Sequence, residues 1–182
     1  KAAGKEAANY DNRISGVSIH YKDAVELVTR GAAKACLSVE QETVARTSRN
    51  VVARIKGTDK AEEILTLTAH YDSVPEGPGA YDNMSGAAII MELCRYFQQY
   101  RPRRTMEFVW FGAEEKGLLG SQNYIKIHEN ELSAHRFNMN VDLAGQLVGG
   151  TVAGVTGDAS VCSILTYMAH EIGIGMSTKN QI

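Results

Sequence analysis

Six acidic or imidazole side chains fall where the chain changes direction. His70 and Asp72 follow an apolar run that ends at Ala69. Asp82 precedes a helical pattern, and Glu114 and Glu115 follow a second apolar run that ends near Phe111. Asp142 sits between Val141 and Leu143, late in a third run. Three strand ends and one helix start thus each deliver an imidazole or a carboxylate. Hydrolytic zinc accepts this nitrogen and oxygen mixture. Two neighbouring metals would need a shared carboxylate and further ligands arriving from several directions. Each residue also has an ordinary explanation. A histidine at a strand end hydrogen-bonds its surroundings, an aspartate before a helix caps it, and glutamates at a helix start suit its dipole. Asp142 resists such an account, because a carboxylate between apolar neighbours is costly to bury unless paired or metal-bound. The pattern alone leaves a metal or acid–base site and a set of unrelated caps and surface charges both open.

The elements that must position these residues alternate in type. Residues 22–30 carry a short helical pattern closed by Gly31. Residues 50–56 and 63–69 read as strands, and the turn residues 57–59 between them predict a hairpin. The second of these runs is β-branched and almost wholly apolar, as suits a strand covered on both faces. Pro75, Gly77, Pro78 and Gly79 mark a loop. In residues 83–100, Ala87, Ile90, Met91, Cys94 and Phe97 recur at helical spacing. Strand patterns follow at 105–111, 137–143 and 149–154, and helical ones at 118–127 and 159–172. Alternation of this kind predicts an α/β domain with a largely parallel or mixed sheet, whose site lies beyond the carboxyl ends of the strands.

Composition narrows the function. The chain has 182 residues, 44% hydrophobic and 22% charged, ordinary values for a domain with a real core. Nineteen basic against 21 acidic residues, a net charge of −2, give no pull toward nucleic acid or anionic membrane. No run is long and apolar enough to span a bilayer. Cys36, Cys94 and Cys162 are scattered and odd in number, which argues against a disulfide framework or a cysteine zinc site.

The stretches Ala69-His70-Tyr71-Asp72-Ser73 and Gly79-Ala80-Tyr81-Asp82-Asn83-Met84-Ser85-Gly86 resemble the zinc aminopeptidase and glutamate carboxypeptidase family. So do Phe108-Val109-Trp110-Phe111-Gly112-Ala113-Glu114-Glu115-Lys116-Gly117-Leu118-Leu119-Gly120-Ser121 and Asn138-Met139-Asn140-Val141-Asp142-Leu143-Ala144-Gly145. Four motifs occur in the family's order, from about residue 47 to 145. The resemblance implies a three-layer fold, a mixed β-sheet flanked by helices, truncated here at both ends. It implies His70 and Asp142 as ligands of one zinc, Asp82 as the carboxylate bridging two, and Glu115 as a ligand of the second. Glu114 matches the general base, Asp72 the partner that orients the His70 ring, and the peptide bond after Asp82 is implied to be cis. The implied activity is metal-dependent exopeptidase hydrolysis of a terminal peptide bond, an aminopeptidase first, with two Zn2+ per complete site and a peptide as partner.

The family has one more ligand, a histidine downstream of the Asp142 position, and nothing here matches it. His170 falls inside an amphipathic helix and reads as structural. The expectation is a piece of a longer protein, with weak or single metal occupancy on its own. Residues 1–30 form a lead-in segment, of which 16–27 resemble the tail of a protease-associated domain, with His20 a scaffold residue; residues 31–182 form a partial catalytic domain. That resemblance favours an exported enzyme. Two rivals share the scaffold: a single-zinc glutaminyl cyclase and a catalytically inactive binding relative. Arg101, Arg103 and Arg104 precede a strand, at its opposite end from Glu114, and so are not a clamp for a substrate carboxylate. Oligomeric state is not readable from the sequence.

Overall fold

The computed structural model describes residues 17–38, 40, 42, 44–146 and 149–181. The chain divides into two compact units, residues 1–48 and 49–182. In the first, helix α1 (Tyr21–Thr29) starts at His20, whose Nδ1 accepts from the Lys22 N–H at 3.2 Å. The chain leaves the helix through Gly31 at φ 61°, a conformation glycine adopts without steric cost. His20 is a cap. The first 16 residues of the expected lead-in lie outside the described residues.

The second unit is built on a four-stranded mixed sheet. Its strands are β1 (Val51–Ile55), β2 (Lys60–His70), β3 (Arg104–Phe111) and β4 (His135–Asn140), in the order β1-β3-β2-β4. β2 runs parallel to both β3 and β4, and β1 is antiparallel to β3. The expected hairpin of β1 with β2 is therefore absent: β3 lies between them. The apolar β2 takes an interior place, where both its edges and both its faces are covered. The turn after β1 instead crosses the start of β3, with Thr58 N–H donating to the Pro102 carbonyl and Lys60 N–H to that of Arg103. Gly57 makes the crossing possible. A Cβ there would sit 2.4 to 2.8 Å from backbone atoms of Arg103, Arg104 and Thr105.

Helix α2 (Met84–Gln99) links β2 to β3, and α3 (Leu119–Ile127) with a short 3-10 turn (Glu129–Ala134) links β3 to β4. The first link leads to one side of β2 and the second returns to the other, so the strand order reverses at the carboxyl end of β2. One sheet face presents Leu67, Ala69, Met106 and Phe108 to Ala87, Ile90 and Cys94 of α2. Phe108 and Ile90 are wholly buried, each worth about 1.5–3 kcal/mol of burial. The opposite face carries Thr66, Thr68, Glu107 and Val109, all buried. There the wholly buried Glu107 carboxylate accepts from Arg54 Nε at 2.6 Å and from the Tyr124 hydroxyl of α3. Helices thus flank a mixed sheet on both faces, as the motifs imply.

A separate two-stranded parallel sheet joins β5 (Thr151–Val155) to β6 (Met176–Asn180), with α4 (Ser160–Glu171) as the crossover. β6 lies beyond the helical pattern at 159–172, where the sequence patterns predict no strand. Cys94 is buried in the core, Cys162 is half-buried, Cys36 is exposed, and all three are free thiols. No described helix is long and apolar enough to cross a membrane.

Candidate metal centre

β2 ends on His70, whose side chain is 3% exposed. Its Nδ1 lies 3.1 Å from the main-chain carbonyl of Asp72. A carbonyl only accepts, so that nitrogen carries the proton, which leaves Nε2 as the ring nitrogen available to a metal. Asp82, just ahead of α2, places Oδ1 3.1 Å from His70 Nε2, and Asp142, just beyond β4, places Oδ1 at 3.6 Å. One ligand atom from each of His70, Asp82 and Asp142 lies within 4.8 Å of the other two. One imidazole nitrogen and two carboxylate oxygens so close together suit a single Zn2+ by donor type. Two carboxylates held this near each other also gain from a cation between them. The site therefore fits the metal that the motifs imply.

Glu114 follows β3 and brings Oε2 to 4.0 Å from His70 Nε2. Among the described residues its carboxylate accepts no hydrogen bond. Burial pushes its pKa up, and the like charges of Glu115, Asp142 and Asp72 add to that against the opposing pull of His70. For His70, burial opposes the protonated ring, but Glu114, Asp142 and the Asp72 carbonyl outweigh it and the net shift is upward. Glu114, His70 and Asp142 line a cleft of about 190 Å³ with Thr68, Phe111, Leu118, Ser121, Asn138 and Asn140.

Glu115 stands apart from the trio of close-set donors. Its backbone N–H donates to Asp72 Oδ2 at 3.2 Å, beside the Glu114 N–H on Oδ1 at 3.0 Å. Asp72 thus meets His70 through its main-chain carbonyl. Its carboxylate, 3.6 Å from the ring nitrogen, is spent on the loop that carries both glutamates. Asn50, just ahead of β1, holds the same loop, accepting from Gly112 N–H and donating to the Gly120 carbonyl at 2.8 Å. Sequence reasoning missed Asn50; the glycines at 112 and 120 were the available signal. The backbone is left-handed at Ala113, Leu118 and Leu143, an uncommon conformation for side chains of this kind that clusters here around Glu114 and Asp142. The Asp82–Asn83 peptide bond is cis.

The remaining candidates lie elsewhere. His170 is on the exposed surface of α4, 3.9 Å from its neighbour Glu171. Arg101, Arg103 and Arg104 are occupied at the far end of the sheet by the Lys56 carbonyl, Asp59 and Glu63.

Fold and cluster together define an α/β domain with an imidazole–carboxylate cluster, a candidate metal site, at the switch point of a mixed sheet. Residues 50–179 match peptidase family M28, and the chain belongs to that family. It is 41% identical over 102 residues to Aminopeptidase YwaD of Bacillus subtilis (strain 168), covering 55% of this chain and 22% of that protein. It is 35% identical over 125 residues to Leucine aminopeptidase 2 of Trichophyton equinum, covering 68% of this chain and 25% of that protein. The chain thus spans about a quarter of the length of these curated relatives. Among solved structures, BSAP, a zinc aminopeptidase from Bacillus subtilis, superposes with a TM-score of 0.64 at 32% identity, over 72% of this chain and 34% of that one. A glutaminyl cyclase from an Acidobacteriales bacterium gives a TM-score of 0.63 at 16% identity, over 73% of this chain and 52% of that one; this likeness is one of fold alone.

Proposed function

We propose that this chain is part of the catalytic domain of a zinc-dependent aminopeptidase that removes the N-terminal residue of peptides. The observation that carries the reading is the trio His70, Asp82 and Asp142 at the switch point, with the uncommitted Glu114 carboxylate facing it. His70 and Asp142 would hold one zinc, Asp82 would be shared between two, and Glu115 would serve the second. When bound, zinc polarises a carbonyl and lowers the pKa of its water to about 7. Glu114 takes a proton from the attacking water and delivers it to the leaving amine. Asp72 keeps Glu114 in place through the backbone and fixes the His70 tautomer. The aminopeptidase names of relatives matched at 35–41% identity support hydrolysis at the amino end. Residues 31–182 belong to this catalytic portion and 1–30 to a lead-in from a protease-associated module, which makes export part of the proposal.

The test is hydrolysis by the full-length zinc-loaded protein of a peptide with a free amino terminus and of its N-acetylated twin. Release of the first residue from the free peptide only is the expected result, with Glu114→Gln lowering kcat about 10²- to 10⁴-fold. Zinc-loaded protein that cleaves neither would overturn the reading, and pyroglutamate formation from a Gln-initiated peptide would replace it with the cyclase.

A further inference from the structure

Asn83 is 1% exposed, although it directly follows the half-exposed Asp82. Its side chain caps α2, with Oδ1 accepting from the Gly86 N–H at 3.0 Å. The same oxygen accepts from the Leu143 N–H at 3.3 Å, and Nδ2 donates to the Val141 carbonyl at 2.9 Å. The amide orientation is set by its partners, since two N–H groups only donate and a carbonyl only accepts. One carboxamide therefore grips the backbone on both sides of Asp142. Two neighbours reinforce the grip. The Tyr81 hydroxyl donates to the Leu143 carbonyl. Gly86 lets α2 approach: a Cβ there would lie 2.2 Å from the Val141 carbonyl oxygen and 2.5 Å from Asn83 Oδ1. A helix cap alone needs only the Gly86 contact; serine supplies that as well as asparagine, but is too short to reach across to residues 141 and 143.

We propose that Asn83 is a positioning residue that sets the separation of the Asp82 and Asp142 carboxylates, and so tunes the affinity of the site for zinc. The inference rests on the zinc reading above. Asp82 and Asp142 come from different elements, a loop before α2 and the exit of β4. Asn83 joins the two backbones directly beside both carboxylates. Removing a group that orients metal ligands costs roughly 10- to 100-fold in metal affinity.

The experiment measures zinc affinity of the full-length protein by competition with a chromophoric chelator, and the unfolding midpoint of the metal-free form by circular dichroism. Asn83→Ser keeps the helix cap and loses the bridge. Gly86→Ala attacks the same contact from the other side. Cys94→Ala, farther along α2 in the core, is the stability control. The expected result is a roughly 10- to 100-fold weaker zinc affinity in Asn83→Ser and Gly86→Ala, with wild-type affinity in Cys94→Ala despite a lowered midpoint. Wild-type affinity in Asn83→Ser overturns the inference. So does an equal loss in Cys94→Ala, which would make the effect one of general stability. Wild-type protein that binds no zinc removes the zinc reading itself, and this inference with it.

Discussion

Asp72→Asn separates two roles that one aspartate could play. The carboxylate accepts from Glu114 N–H at 3.0 Å and Glu115 N–H at 3.2 Å, while the His70 ring is bonded to the main-chain carbonyl. Asparagine keeps one acceptor oxygen and turns an NH2 toward the other N–H. Hydrogen bonds to an ionised acceptor are worth about 1.5–3 kcal/mol and neutral ones about 1 kcal/mol. One bond is therefore weakened and the other lost. The side chain is 24% exposed, so water recovers part of the loss, leaving about 2–3 kcal/mol. If that falls on the placement of Glu114, kcat drops about 30- to 150-fold. The main-chain bond to His70 survives the substitution, so zinc bound at His70 should hold far better than the roughly 10- to 100-fold loss typical of a missing histidine partner. Steady-state hydrolysis of an aminoacyl p-nitroanilide, with chelator competition alongside, reads both numbers. A kcat close to wild type with zinc affinity sharply reduced would refute the reasoning. The Asp72 carboxylate would then be acting on the imidazole after all.

Glu107→Gln should lower the stability of the second unit by about 2–4 kcal/mol, below or near the low end for breaking a buried pair, because Arg54 is 42% exposed and regains water. Tyr124→Phe should cost about 1–2 kcal/mol through the same carboxylate. Urea midpoints at unchanged slope measure both, and a Glu107→Gln protein as stable as wild type would count against the network. At the far end of the sheet, the hydrogen bond from Arg103 holds the Asp59 carboxyl below its ordinary 3.8, and that from Arg104 holds Glu63 below 4.5. Folded values below unfolded ones mean that this stability is full above those ordinary values and is lost as pH falls through the folded ones. The double variant Arg103→Gln, Arg104→Gln should therefore lose stability less steeply in acid than wild type; superimposable acid profiles would exclude the contribution.

The chemistry of the site was legible because it interrupts apolar patterns. A histidine at the end of an apolar strand stands out against neighbours that face a core, and an aspartate between Val141 and Leu143 interrupts an apolar pattern, although in the fold both Asp142 and Leu143 are exposed. The sheet order was less legible. Turn residues at 57–59 are the same whether β1 pairs with β2 or crosses β3; only the bare backbone approach at Gly57 distinguishes them, and that depends on residues more than forty positions away. β6 escaped notice because Met-Ser-Thr-Lys-Asn has no alternating apolar face; its pairing to β5 and its packing on α4 make it a strand. Glu107 carries no local signal, since its partners Arg54 and Tyr124 come from other elements. The division of labour within Asp72, carbonyl to the imidazole and carboxylate to the loop, is likewise a matter of three-dimensional direction that residue types do not encode.

The most direct test is zinc stoichiometry by elemental analysis of the full-length protein, beside His70→Ala and Asp82→Ala. Two zincs per chain are expected in the wild type, with His70→Ala losing one and Asp82→Ala, which removes the shared carboxylate, losing both or binding them far more weakly. Metal-free wild type, or zinc content unchanged by both substitutions, would contradict a metal centre at the end of β2.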